Sequence, residues 1–410
     1  MNKIIKSLVG GSLCSLLLSA CGPHGGGEEL VQLAQQTPIN TVKYEYPEGS
    51  AVATHGALKV DGLQLCDQSG KPVQLAGFST MGWQWCADCY NEESIKNLID
   101  NWHINILRLA MYVEEGGFNR HPDKNTEMMC NLIETCGKLG IYCIVDWHIL
   151  TPGNPNDSLY ADSHAFFKLM SRKYAGAPHV LFELCNEPNG EGATWEEIRD
   201  YANQIIPTIH AAYDSIGAQH PIIICGTPQW DQLVDACLVK GRYQGNELDF
   251  VELPADDRRL QFDNVMYTFH FYASSHNEGS PKDGVEDYYN FYKYMYKVLG
   301  QLPVFCSEYG LTEASGDGAI DTDRTDKWIH MFRGNNAGKQ LVSFCNWSYS
   351  DKDEKSAALQ PKSCRRKQWD NATISGDYVR RVLNVANNGA TDPSVLKPEN
   401  VYTPAAETKE

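Results

Sequence analysis

Two glutamates stand where apolar runs end. VLFELC, residues 180–185, runs into Asn186-Glu187-Pro188, and PVFCSE, residues 303–308, closes on Glu308 before Tyr309-Gly310. Two carboxyls facing each other across a cleft can split a glycosidic acetal. One stays protonated near neutral pH and gives its proton to the leaving oxygen, while the other stays ionised and attacks or stabilises the sugar centre. Other apolar runs end on groups of similar character: Arg108 leading to Tyr112, Asp146-Trp147-His148, Gly226-Thr227-Pro228 leading to Trp230, His270 with Tyr272, and Asn346-Trp347. A metal reading is poorer, because no helix carries His-x-x-x-His and the acids are not adjacent as Mg²⁺ ligands tend to be. Neither metal nor cofactor is expected.

Something must bring those run ends to one place. Near-continuous apolar strands are expected near 73–79, 106–111, 142–147, 180–185, 222–226, 265–272, 303–308 and 341–347. Their lack of alternation implies burial on both faces, as in a parallel sheet covered by helices. Helices are expected between them: Ile95, Leu98, Ile99 and Trp102 repeat at helical spacing behind Asn91, and Thr194-Trp195-Glu196-Glu197 reads as a capping box ahead of Ile198, Ala202, Ile205 and Ile209. Eight strands alternating with helices over about 300 residues match an α/β fold of one (β/α)₈ TIM barrel, a single catalytic domain over 53–388. A doubly wound sheet would need a Gly-rich phosphate turn after its first strand, and none is present. In a barrel the strand ends converge on one mouth, so Glu187 and Glu308 face each other there.

The flanks read differently. Lys3 and Lys6 precede an uncharged stretch, 7–20, that ends Leu18-Ser19-Ala20-Cys21. Residues 1–20 thus form an export signal too short to span a bilayer. The ending resembles the bacterial lipobox, which implies lipidation at Cys21, a membrane partner through that anchor, and an exported, outer-membrane lipoprotein. Residues 21–52 read as a flexible tether, 239–262 as a polar insertion, and 389–410 as a loosely ordered tail. A formal charge of −17 argues against nucleic acid as a partner. Cys143, Cys185, Cys225, Cys306 and Cys345 lie in strands and read as buried thiols. Cys86 and Cys89 read as a loop disulfide or as free thiols.

HVLFELCNEPNG resembles the signature of glycoside hydrolase family 5, the cellulase A family, and the similarity runs from about 55 to 385. The resemblance implies that Glu187 is the acid/base and Glu308 the nucleophile. It implies that Asn186 bonds the sugar 2-hydroxyl, that Tyr272 and Arg108 orient the nucleophile, and that His270 tunes the acid/base. His148 would line subsite −1 and Trp347 would be its sugar platform. LRLAMYV, IYCIVDWHIL, MYTFHFYA and NWSYSDKDEKSAAL resemble the bacterial endo-β-1,4-glucanase branch. By that likeness Lys352 and Glu354 bind sugars beyond subsite −1, although DKDEK also fits a solvated loop. Trp85 resembles the non-reducing-side platform and Trp230 the leaving-group-side platform; a Trp at a helix start equally fits a core position. Met81-Gly82 stands where that branch carries a His, and Tyr309 where it carries a Trp.

The expectation is a monomeric, retaining endo-β-1,4-glucanase acting on cellulose or a related β-linked polysaccharide. Mixed-linkage β-glucan, xyloglucan and mannan are the alternatives within that chemistry. A glycan-binding lipoprotein without turnover is the alternative outside it, and the paired glutamates speak against it.

Overall fold

The computed structural model describes residues 26–233, 258–276 and 291–404. Cys21, and the 239–262 insertion up to residue 257, lie outside them. A two-stranded antiparallel hairpin, β1 (Lys59–Asp61) and β2 (Gln64–Cys66), precedes the main sheet. The sheet then follows as β3 (Ala76–Thr80), β4 (Ile106–Tyr112), β5 (Tyr142–His148), β6 (Val180–Glu183), β7 (Ile223–Cys225), β8 (Val265–Tyr272), β9 (Val304–Gly310) and β10 (Ser343–Tyr349). Every neighbour pairs in parallel, and β10 returns to β3 to close the barrel. All eight expected strands are present, each within a few residues of its expected place.

Alternation within the strands explains why they are apolar throughout. Ile106, Ile144, Leu181, Ile224, Met266, Phe305 and Cys345 form one buried cluster inside the barrel, while their neighbours Leu107, Cys143, Phe182, Ile223, Tyr267 and Phe344 join a larger cluster toward the helices. Side chains two apart share a face, so climbing the inner face from the apolar floor gives Ile106 then Arg108, Leu181 then Glu183, and Ile144 then Asp146 and His148. Met266 leads likewise to Thr268, His270 and Tyr272. Val52, Leu58, Leu65 and Val73, around the hairpin, belong to the inner cluster and close the barrel foot.

One irregularity serves the site. Thr268 pairs with Phe305, but His270 pairs with Glu308, so β9 carries an extra residue there. A bulge re-aims side chains, and the consecutive Ser307 and Glu308 both reach partners inside the barrel.

Asn91 caps the helix Glu92–Trp102 in a reciprocal box with Ser94. Thr194 caps Trp195–Asp214 by accepting from the Glu197 amide.

Both flanks are better ordered than their composition implied. The helix Gly26–Gln36 buries Leu30 and Ala34 and packs on the helix Ser163–Lys173. Beyond it Arg172 Nε donates to Thr37 O at 2.7 Å, and Tyr46 OH meets His179 Nδ1 at 2.8 Å. Residues 26–52 are therefore a strap along the barrel and not a tether; a few well-spaced apolar side chains outweigh the polar composition. The tail is corrected likewise over 389–404: Val395 is buried, and the Leu396 and Lys397 amides donate to the buried Asp326 carboxylate at 2.7 and 3.1 Å. Cys89 is bonded to Cys364, 275 residues away, while Cys86 stays free and buried. The five strand cysteines are free and buried.

Candidate active site

At the C-terminal rim the inward residues become an ion network built on Arg108. Its guanidinium is fully buried and donates from Nε to Glu183 Oε2 at 2.6 Å and from Nη1 to Glu308 Oε2 at 2.9 Å. Nη2 donates to Asn186 Oδ1 at 2.6 Å and lies 3.0 Å from Asp146 Oδ2. One planar fork thus ties β4 to β5, β6, the turn after β6, and β9. Burial would lower its pKa, but Asp146, Glu183 and Glu308 hold it firmly charged.

Glu308 accepts a second bond, from Tyr272 OH at 2.7 Å. Gly310 makes that bond possible: a Cβ at 310 would lie 2.4 Å from the Tyr272 ring, so only glycine lets the ring lie on β9. Among the described residues Glu187 has one charged partner, His270, whose Nδ1 is 2.8 Å from Oε1. Asn186 adopts φ of 37°, turning the chain out of the strand direction. Pro188 then packs against Gly226, where a Cβ would lie 2.8 Å from both Pro188 Cδ and Cys185 Sγ. Glu187 therefore projects over the mouth, with its side chain 18% exposed.

The other ring nitrogen of His270 is 2.8 Å from Ser307 Oγ, and that hydroxyl donates to Glu183 Oε1 at 2.6 Å. Because Ser307 spends its proton on Glu183, it accepts from His270 Nε2–H. Nδ1 then meets Glu187 either as acceptor from a protonated carboxyl or, in the imidazolium, as donor to a carboxylate. Burial lowers the His270 pKa, but Glu183, 3.7 Å away behind Ser307, and the bond to Glu187 outweigh it and raise it to about 9. Glu183 is raised by burial and pulled down further, to about 2, by Arg108 and His270.

The two rim glutamates respond to each other. Burial and then the Glu187 charge raise Glu308, against His270 and Arg108. Burial raises Glu187 too, yet its bond to His270 brings it below the usual carboxylate range. Four carboxyls, Asp146, Glu183, Glu187 and Glu308, thus share one permanent cation, Arg108, and one titratable one, His270. With the imidazolium present, one proton lies on the His270–Glu187 contact.

Aromatic rings line the other side. Trp347 stacks on His148 at 5.5 Å and 13°, and Tyr112 lies 4.2 Å from His148 and 6.4 Å from Trp347. His148 Nδ1 bonds Asp146 at 2.7 Å; burial and then Arg108 push the imidazole down to about 4, so it is neutral. Trp85 is 49% exposed and meets Tyr112 edge-on at 5.0 Å. Lys352 pairs with Glu354 at 2.6 Å. Trp230 is half-buried, with φ of 55°, on a loop whose Gln229 amide donates to Pro188 O. Tyr309 is buried and stacks on Phe271 at 5.3 Å, away from the mouth.

The expected residues on β4, β5, β8, β9 and β10, with Asn186 and Glu187 in the turn after β6, thus converge on one mouth. Sequence reasoning missed Glu183, Ser307 and, as a site member, Asp146. The available signal was a charged residue two positions above the apolar Leu181 on the same strand face. Glu187, His270 and Glu308 offer ligand atoms within 4.8 Å of one another, a metal-sized gap. The Arg108 cation already bonded to Glu308 makes acid–base work the better fit.

Comparison with known proteins agrees with this geometry. The family profile described as Cellulase (glycosyl hydrolase family 5) matches residues 66–353. "Endoglucanase" of Clostridium saccharobutylicum is 36% identical over 86% of this chain and 70% of its own length. "Endoglucanase E-5" of Thermobifida fusca is 34% identical over 82% of this chain; the chain spans 65% of that relative. Among solved structures, "Cellulase Cel5C_n" is 37% identical with a TM-score of 0.70, covering 83% of this chain and 95% of that one. The catalytic domain of Thermobifida fusca endoglucanase Cel5A, solved with cellotetraose, is 32% identical with a TM-score of 0.68, covering 82% of this chain and all of that one. With its barrel, its paired glutamates and the matched span together, the chain belongs to glycosyl hydrolase family 5, the cellulase family.

Proposed function

We propose that the chain is an endo-β-1,4-glucanase that works by double displacement with retention of anomeric configuration. The observation that carries the mechanism is the approach of the two catalytic carboxyls. An oxygen of Glu187 and one of Glu308 lie within 4.8 Å, an approach that supports the ~5–5.5 Å spacing of retaining enzymes over the ~6.5–9.5 Å that leaves room for an inverting water.

In the first step Glu308 attacks the anomeric carbon while Glu187 protonates the departing glycosidic oxygen, giving a glycosyl ester on Glu308 and a shortened chain. In the second, Glu187 takes a proton from water, whose oxygen attacks the same carbon and releases the Glu308 carboxylate. Arg108 and Tyr272 hold Glu308 aimed and bear its charge as it leaves. The Trp347 face supports the pyranose ring, His148 lines its edge, and Asn186, fixed by Arg108 and by Ile149 O, is placed to bond the 2-hydroxyl. Trp85, with Lys352 and Glu354, extends the cleft on one side and Trp230 on the other.

Residues 1–20 direct export, and lipid at Cys21 anchors the enzyme to the outer membrane, where a polymer too large for uptake can be shortened. Labelled palmitate should enter the wild-type chain and not Cys21→Ser. For the catalytic reading, Glu187→Gln and Glu308→Gln should each lower turnover of cellulose by about 10²–10⁴-fold or more with Tm preserved. Ordinary turnover in either would refute that residue's role. Initial rates on carboxymethyl-cellulose, mixed-linkage β-glucan and glucomannan test the linkage preference, with carboxymethyl-cellulose expected to lead.

A further inference from the structure

A second group of titratable side chains gathers at the opposite end of the barrel. His210 and Asp214 lie in the last turns of the helix Trp195–Asp214, His220 precedes β7, and Asp263 precedes β8. His220 sits between the acids, with Nδ1 2.8 Å from Asp263 Oδ1 and Nε2 2.9 Å from Asp214 Oδ1. His210 stacks face to face on His220, with ring centroids 3.7 Å apart.

A charged His220 between two carboxylates explains three of these residues but not the fourth. His210 is only 7% exposed, and its Nε2 is buried without a hydrogen-bond partner. A buried polar atom left so is costly and points to a missing partner such as an ion. One ligand atom from each of His210, His220 and Asp263 lies within 4.8 Å of the others.

We infer that His210, His220 and Asp263 form a binding site for a divalent transition-metal ion of the Zn²⁺ class. Two imidazoles and a carboxylate favour Zn²⁺ over the oxygen-seeking Ca²⁺ and Mg²⁺. Asp214 completes the arrangement from outside: it accepts from His220 Nε2–H and so presents Nδ1 to the ion. Tetrahedral Zn–N bonds of ~2.0–2.1 Å set ligand atoms roughly 3.3 Å apart, so Asp263 must draw back from its 2.8 Å contact with His220 Nδ1 and the stacked rings must open. His220, on a loop and 21% exposed, is the ring free to tilt, and Asp263, 63% exposed, follows it. An ion there ties the end of one helix to the feet of two strands. This is the face of a (β/α)₈ barrel associated with stability, away from catalysis. The expectation of no metal rested on the lack of His-x-x-x-His along one helix; this group is assembled from three segments.

The test is titration of the full chain with ZnCl₂ by calorimetry and thermal unfolding, beside His210→Gln, Asp263→Asn and Glu308→Gln. The wild type should bind one Zn²⁺ at this site and gain roughly 3–6 °C in Tm at about 100-fold excess over Kd, with no gain from Mg²⁺. Glu308→Gln should keep that gain, and both cluster variants should lose it while hydrolysing cellulose normally. Should His210→Gln fail to fold, the exposed Asp263→Asn decides alone. Absence of Zn²⁺ binding by the wild type, or an equal gain in Asp263→Asn, would overturn the site.

Discussion

Ser307 Oγ bridges His270 and Glu183, 2.8 Å from the one and 2.6 Å from the other. Through that hydroxyl a fully buried carboxylate fixes the proton on His270 Nε2 and leaves Nδ1 facing Glu187. We propose that Glu183 thereby tunes the rim from beneath it.

Ser307→Ala removes the bridge and leaves His270 Nε2 without its acceptor. The imidazolium is then less favoured, so the alkaline limb of kcat/KM, expected in the wild type near the His270 value of about 9, should move to lower pH. Ser307→Thr, which keeps the hydroxyl, should restore it. An unchanged profile in Ser307→Ala would show that Glu183 does not act through this path.

Gly310→Ala tests the aim of the nucleophile. The added Cβ would stand 2.4 Å from the Tyr272 ring, so the ring must leave β9 and its hydroxyl must leave Glu308. Kinetics should show kcat reduced by about tenfold to a hundredfold, the scale of one lost charge-assisted hydrogen bond. Tyr272→Phe should lose a similar factor, and the two changes together little more than either alone.

Stability should peak near pH 6–7. Burial holds His148 and His179 down at about 4 in the fold, whereas both protonate near 6.5 when unfolded. Stability from these two is therefore complete above pH 6.5 and lost as pH falls toward 4, roughly 3 kcal/mol each. His270 has the opposite sign: its raised value adds stability below 6.5 that is lost as pH rises through about 9. A series of Tm values should fall on both sides; a flat profile from pH 4.5 to 6.5 would contradict the buried neutral histidines.

The barrel and its rim were legible because strand-end chemistry is conspicuous in sequence. Glu187, Glu308 and His148 each interrupt an apolar run where the chain leaves the wall. Glu183 was not legible, since Phe182 and Leu184 flank it and an uninterrupted wall was the natural reading; only the inner-face alternation from Leu181 marks it. The bulge that aims both Ser307 and Glu308 inward comes from the register of β8 against β9, which depends on pairing and not on local pattern. The strap at 26–52 was hidden because its partners, Arg172 and His179, lie more than a hundred residues on. Cys364 escaped notice as the partner of Cys89 for the same reason.

The approach of Glu187 and Glu308 within 4.8 Å makes one measurement decisive for the mechanism. Proton NMR recorded during the first minutes of cellopentaose hydrolysis, before mutarotation equalises the anomers, reads the configuration of the new reducing end. The β-anomer should accumulate first, because two displacements at one carbon restore its configuration. Initial accumulation of the α-anomer would show a single displacement by water and contradict Glu308 as the nucleophile.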